Sequence, residues 1–287
     1  MDIKPVTYVV VEWMKKLLIL LSAVATLLFP QISYALIVSS GLTVEKVVLP
    51  GDKVVGVITL RGEESDETVR IYQTDYLFYA DGRNEFGKPG SNPRSNASWI
   101  SYSPNQITLP AGGRAEVTYQ ISVPNDKDMR GTYWSVIMVE EVPKGTLEVP
   151  SAKKGEVAVG IRVVSRYAVQ VVTHIGDTGT RALEFADKKL EVKDGKTYLV
   201  LDVKNTGERW LVPEVYVDLF GQSGQLGRYP GGKLRIFPGC SVRYRVDLGA
   251  LKPGKYNALV IADCGEDNVF GARYTLEVGD AAEPLNP

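Results

Sequence analysis

The chain has 287 residues, with 33 Lys and Arg against 34 Asp and Glu and a formal net charge of −1 at pH 7. Phosphate binding requires clustered positive charge, so this near balance argues against a nucleic-acid partner. The single histidine and the two cysteines also leave few residues from which a histidine-based catalytic centre or a zinc site could be built.

The amino-terminal region has the three-part pattern of a secretory signal peptide. Positive charge at Lys15-Lys16 precedes an apolar run from Leu17 to Phe29, and Ser33-Tyr34-Ala35 follows as a small-x-small cleavage site. The run is short for a membrane span, so we predict that residues 1–35 are removed, with translation starting at Met14. An uncleaved signal anchor is the alternative. After cleavage we expect a periplasmic or secreted protein without a stable membrane anchor.

Beyond the signal, apolar and polar residues alternate with a period of two, which predicts β-strands separated by turns rich in Gly, Pro, Asn and Asp. No segment sustains a long amphipathic helical period, so the predicted fold class is all-β. In the first half the candidate strands are Val54–Thr59, Val69–Asp75, Ala115–Val123 and Tyr133–Val139.

The segment from Ala80 to Ala97 is rich in Gly, Pro, Asn and Arg. We predict a mobile surface loop here and regard it as a candidate for partner recognition. Asn96-Ala97-Ser98 fits a glycosylation acceptor, which matters only in a eukaryotic secretory pathway. Trp134 is expected in a core, whereas Trp99 fits either a core or a partner surface.

Two adjacent segments, Trp99–Tyr119 and Val123–Pro143, carry the most specific motifs of the chain. The first has a proline-containing loop, a Leu-Pro-x-Gly turn and an alternating strand. The second has a Val-Pro-Asn-Asp start, a Tyr-Trp pair and a closing Glu-Val-Pro. Both resemble the first domain of periplasmic pilus-assembly chaperones. The resemblance implies an immunoglobulin-like domain and client binding by β-augmentation, in which an exposed strand edge pairs with a secreted subunit.

The resemblance also implies where a client would bind. The closest counterpart of the family's client-binding strand is Val159–Val171, whose alternating face comprises Ile161, Val163, Tyr167, Val169 and Val171. The family anchors the client's terminal carboxylate with an arginine on the first strand and a lysine on the last. Lys46 stands near the expected arginine, and Arg162 or Arg166 is the nearest equivalent of the lysine. A solvated strand charge is the alternative for each of them.

A polar stretch from His174 to Arg181 is predicted as a hinge that divides the chain into domains 36–175 and 176–287, the latter ending in a short tail. The second domain has a complete immunoglobulin-like set of candidate strands. These are Leu190–Lys193, Tyr198–Lys204, Glu214–Phe220, Ser241–Asp247, Tyr256–Ala262 and Ala272–Val278. Cys240 and Cys264 both lie in this domain, and an oxidising compartment would permit a disulfide; two free thiols are the alternative.

Residues with catalytic or metal-binding chemistry do not form a recognisable motif. His174 is predicted to be a solvated hinge residue, and Asp263–Asp267 matches neither a zinc nor a calcium pattern and reads as an acidic surface turn. Glu140 and Glu141 point to opposite faces of a strand, so they cannot act as an acid–base pair and are predicted as edge charges. We therefore predict no catalytic residue, metal or cofactor, and a binding role rather than an enzyme.

Three functions remain open at this point. The first is a chaperone-like protein that binds secreted pilus or surface-protein subunits. The second is an envelope protein similar to those that bind WxL-type surface proteins, which also pair two immunoglobulin-like domains and usually carry a carboxy-terminal span. The third is a secreted adhesin or matrix component whose strand edges are covered.

Overall fold

A computed structural model describes residues 36–62, 65–143, 164–265 and 268–279. The predicted signal peptide and the candidate site residues Ile161, Arg162 and Val163 lie outside this range. Within it, no helix has the length and hydropathy needed to cross a membrane.

The first ten strands form a β-sandwich, as the alternation predicts. One sheet has the order β1-β3-β8-β6 and the other the order β2-β10-β9-β4-β5, with β7 also paired to β4. The strands are β1 Ile37–Val38, β2 Thr43–Val48, β3 Lys53–Arg61, β4 Glu67–Phe78, β5 Asn84–Gly87, β6 Ile100–Ser103, β7 Gln106–Leu109, β8 Arg114–Ser122, β9 Gly131–Glu141 and β10 Arg166–Ile175.

The first core lies between these two sheets and follows the period of two. Alternate residues along each strand point inward, so every second apolar side chain is buried. Fully buried members include Ile58, Leu60, Val117, Ile121, Ile137, Val139, Val169 and Val171. Trp99 is partly buried and packs against this core.

The chain start changes sheet between β1 and β2. β1 pairs with β3, the chain then passes Gly41 at φ 87°, and β2 pairs in parallel with β10 in the opposite sheet. The β2 register covers only Gln170 to Ile175, whereas β9 pairs with all of β10 from Arg166 onward. We call Gln170–Ile175 the closed half of β10 and Arg166–Val169 its open half.

The remaining strands form a second sandwich, with sheet orders β11-β12-β15 and β14-β13-β16-β17. Its strands are β11 Leu183–Lys193, β12 Lys196–Asn205, β13 Glu214–Gly221, β14 Gly224–Lys233, β15 Ser241–Asp247, β16 Gly254–Asp263 and β17 Val269–Val278. The second core also includes Trp134 and Val172, which come from β9 and β10. The core position of Trp134 is thus confirmed, while the boundary between Ile175 and Gly176 stays a prediction.

Glycines allow the two sandwiches to meet at very short range. A Cβ atom on Gly131 would lie 2.2 Å from the carbonyl oxygen of Glu208, and one on Gly179 would lie 2.5 Å from the Cα of Gly131. Both residues have positive φ, a conformation that favours glycine. The Arg94 guanidinium bonds the Glu208 carboxylate at 2.9 Å across the same junction.

The region predicted as a mobile loop has defined structure. Asn84–Gly87 forms β5, and the buried Asp75 carboxylate accepts hydrogen bonds from the Gly90 and Asn92 amides and from the Ser91 and Ser95 hydroxyls. A buried carboxylate needs such donors to offset the loss of hydration, so it organises the segment that follows β5.

Asn96 is fully buried, and its amide donates to the Val171 carbonyl at 3.0 Å and the Thr173 hydroxyl at 2.8 Å. A buried amide with these two acceptors is part of the folded interior. Asn96 is therefore not an accessible glycosylation acceptor, contrary to the motif.

The predicted disulfide is wrong in this structure, because both cysteines are free. Cys240 precedes β15 in one sheet of the second sandwich, and Cys264 follows β16 in the other. Burial raises the pKa of each thiol to about 11, so both are protonated at neutral pH.

Candidate partner-binding site

The open half of β10 is an unpaired strand edge within the described part of the chain. The Gln170 amide donates to the Leu42 carbonyl at 2.9 Å. The backbone N–H and C=O groups of the even-numbered residues of β10 therefore point toward the β2 side. The N–H and C=O groups of Arg166 and Ala168 therefore point the same way, but the described β2 pairing begins only at Gln170. Such a row of free donors and acceptors is a template for another strand.

The side chains predicted as a client-binding face lie on the inner side of the sheet. Val169 and Val171 are both 0% exposed and belong to the first core, and Tyr167 packs against it. The alternation that suggested an exposed face is the alternation of a sandwich interior, which has the same apolar spacing. Val169 and Val171 are therefore buried in this structure and do not form an exposed client-binding face.

Arg166 belongs to a charged cluster on the outer face of the sheet. Its Nε lies 3.0 Å from Oε2 of Glu140, and the Arg70 guanidinium lies 3.2 Å from Oε1 of the same carboxylate. The Tyr72 hydroxyl donates to Glu140 at 2.5 Å. The register places Glu140 between Arg70 on β4 and Arg166 on β10, directly opposite both.

Burial by itself would raise the pKa of Glu140. Hydrogen bonds from Tyr72 and Arg166, with the charges of Arg166 and Arg70, outweigh that effect and lower it. Glu140 is therefore ionised at neutral pH and is shared by two guanidinium groups. The sequence-based description of an edge charge missed these partners, because Arg70 and Arg166 are far from Glu140 along the chain.

Lys46 does not act with Arg166. It pairs with Thr173, so its position along the sheet is about 23 Å from Arg166 at a rise of about 3.3 Å per residue. Its neighbours Val44 and Val48 pack on the first core, so alternation puts the Lys46 side chain on that side of β2. Glu45, and not Lys46, faces the second sandwich.

His174 joins β2, β9 and the second sandwich at the end of the closed half. It is 0% exposed, with Nε2 2.9 Å from Oε1 of Glu45 and Nδ1 2.9 Å from Oγ1 of Thr132. The Trp210 amide donates to the same Thr132 hydroxyl at 3.0 Å. A neutral imidazole satisfies every group: Thr132 donates to Nδ1, and the Nε2 hydrogen goes to Glu45.

The surroundings of His174 disfavour its charged form. Burial lowers its pKa, the Arg209 charge lowers it further, and the nearby Glu45 only partly offsets this. The ring lies 4.9 Å from that of Trp210, over which the Arg235 guanidinium stacks at 4.2 Å. The prediction of a solvated hinge residue is wrong, because His174 is fully buried. Its polar neighbours in the sequence gave no sign that the second sandwich covers it.

No family model matches the sequence, and no curated protein matches it. Similar solved structures include the class 5 fimbriae chaperone CfaA, at 12% identity over 83% of this chain and 98% of that chain, with a TM-score of 0.43. The YadV chaperone is similar at 14% identity over 85% and 100%, with a TM-score of 0.41. A chain of the CsuC–CsuE chaperone–tip adhesion subunit pre-assembly complex of Acinetobacter baumannii Csu pili is similar at 14% identity over 80% and 93%, with a TM-score of 0.39.

Proposed function

We propose that this protein is an exported, chaperone-like protein that binds a secreted pilin-like or surface-protein subunit by β-strand addition. The observation that supports it is the open half of β10, with the outward backbone groups of Arg166 and Ala168 beside a fully packed core. A strand of the client would extend the sheet there through main-chain hydrogen bonds. The signal-like amino terminus supports binding in the periplasm or outside the cell.

Several other edges of the described sheets are blunted in ways that natural proteins use against strand addition. β14 contains Pro230, which lacks an amide hydrogen, and β11 carries the charge run Asp187-Lys188-Lys189. β5, β6 and β7 each have only four residues. The open half of β10 is continuous with a long central strand, so it offers a better template.

The test separates the backbone of the open half from its side chains. Ala168→Pro removes one outward N–H, and proline is tolerated where that group faces solvent, so the free protein should keep its fold. Ala168→Ser is the matched control, because it keeps the N–H and nearly the same size. Each variant is incubated with an extract of secreted subunits from the producing cell, and the retained proteins are identified by mass spectrometry.

We expect the wild type and Ala168→Ser to retain one secreted subunit in stoichiometric amount, and Ala168→Pro to lose it with an unchanged melting temperature. In the wild-type complex, hydrogen exchange at the Arg166 and Ala168 amides should slow. Retention that is equal in all three proteins, or exchange that does not change, would contradict strand addition. Recovery of envelope polymers alone would favour the surface-adhesion alternative.

A further inference from the structure

The charged cluster beside the open half carries an uncompensated positive charge. Among the residues that the structure describes, Glu140 is the single carboxylate that contacts the guanidinium groups of Arg70 and Arg166. Its side chain is 12% exposed, whereas those of Arg70 and Arg166 are 57% and 56% exposed. Within the described part of the chain, one largely buried carboxylate thus faces two solvent-accessible cations, and its single negative charge cannot neutralise both.

The position of the excess charge follows from the register. Arg166, Glu140 and Arg70 stand side by side on β10, β9 and β4. A strand added to the open half would lie on the other side of Arg166, about 4.8 Å away, and more than about 14 Å from Arg70. Arg70 therefore acts indirectly, since it takes up part of the Glu140 charge and leaves Arg166 less neutralised.

We propose that the client strand carries an acidic side chain directly opposite Arg166, on the outer face of the extended sheet. This inference rests on strand addition at the open half and specifies the kind of segment that is added. Opposite charges on directly opposed residues of neighbouring strands stabilise the pair, and like charges destabilise it. Arg166 would then be flanked by two carboxylates, with a guanidinium fork that presents donors to both.

The probes are end-capped peptides of alternating valine and threonine that carry one aspartate, asparagine or lysine at each outward position in turn. Their Kd for the full protein is measured by fluorescence anisotropy at low salt. We expect the best aspartate peptide to bind about two- to five-fold more tightly than its asparagine analogue, as for an exposed ion pair, and the lysine analogue more weakly. Added salt should shrink the difference.

Variants of the cluster give effects of opposite sign. Arg166→Gln should abolish the aspartate preference, and Arg70→Gln should reduce it because Glu140 then neutralises Arg166 fully. Glu140→Gln should increase it, because that change frees the Arg166 charge at constant shape. Arg83→Gln is the control, since Arg83 pairs with Asp81 and Glu85 and does not contact Glu140.

The outcomes separate this inference from the proposed function. If no peptide protects the Arg166 and Ala168 amides from exchange, strand addition itself fails. If peptides protect those amides with the same Kd for aspartate, asparagine and lysine, strand addition stands and the acidic preference is overturned. A preference that survives Arg166→Gln unchanged also overturns it, because the charge would then act elsewhere.

Discussion

The two halves of β10 belong to one strand and both pair with β9, but their surroundings on the other side differ. In the closed half, β2 pairs with the backbone, Val171 is buried in the first core, and Val172 and His174 are covered by the second sandwich. In the open half, β9 pairs on one side and the described residues leave the other side free. The difference teaches that strand pairing, and not apolar composition, decides which part of a strand a partner can reach.

The strongest test of this comparison introduces an aspartate once in the closed half and once just before the open half. Val171→Asp buries a carboxylate in the first core, so we expect the free energy of unfolding to fall by more than about 3 kcal/mol. Val164→Asp, at a 39% exposed valine just before the open half, should cost less than about 0.5 kcal/mol. Urea denaturation of both variants measures this, and similar losses would show that the open half is covered.

The closed half also depends on the contact between Gly131, which pairs with Ile175, and Glu208. Gly131→Ala adds a Cβ that collides with a backbone carbonyl at positive φ, and we expect a loss of about 3 kcal/mol. Gly82→Ala is the matched control, because Gly82 has φ 89° and no atom within 4 Å of an added Cβ. It should cost about 1 kcal/mol, from backbone strain alone. Equal losses would mean that the junction relaxes freely.

Protonation of His174 should weaken the closed half. Burial lowers the pKa of His174 in the folded protein below the ordinary histidine value of about 6.5, so the unfolded chain binds its proton first as the pH falls. The free energy of unfolding is therefore highest above pH 6.5, and it should decrease on acidification until the native pKa is reached. His174⁺ would make Nδ1 a donor toward Thr132, which already accepts the Trp210 amide, beside the charges of Arg209 and Arg235.

His174 is the only histidine, so one substitution isolates this effect. His174→Gln should lose the slope of stability against pH between pH 7 and the range where carboxylates titrate. Thermal melts of both proteins across that range measure the slope. An identical slope in the variant would assign the pH dependence to other groups and remove His174 from this role.

The alternation along the chain was enough to predict the all-β fold and the buried position of Trp134. It could not separate an exposed apolar face from a sandwich interior, which is why Val169 and Val171 were assigned to a client. Both environments favour a β-branched residue at every second position, so both produce the same sequence pattern. What distinguishes them is the opposing sheet, and that depends on residues far away in the sequence.

The contacts that define the site also depend on distant residues. Glu140 meets Arg70 and Arg166 through the pairing of three strands, and Asp75 organises a segment that its glycines and prolines suggested to be mobile. A segment rich in glycine and polar residues loses much conformational entropy when it is ordered. Several hydrogen bonds to a single buried carboxylate can offset that cost. The disulfide prediction failed for a related reason, since the presence of two cysteines in one domain does not report whether folding brings them together.

The smallest predicted effects compare Arg70, in the charged cluster beside the open half of β10, with Arg94, at the junction between the two sandwiches. Arg70→Gln removes an exposed contact to Glu140, and we expect a loss below about 0.5 kcal/mol that disappears in high salt. The Arg94 side chain is only 20% exposed and bonds both Glu208 and the Arg130 carbonyl, so Arg94→Gln should cost about 1.5 kcal/mol and stay costly in high salt. Denaturation curves at two salt concentrations decide between them. If Arg70→Gln were the more costly and salt-independent change, the cluster at the open half would be a structural support, and its charge would be unavailable to an added strand.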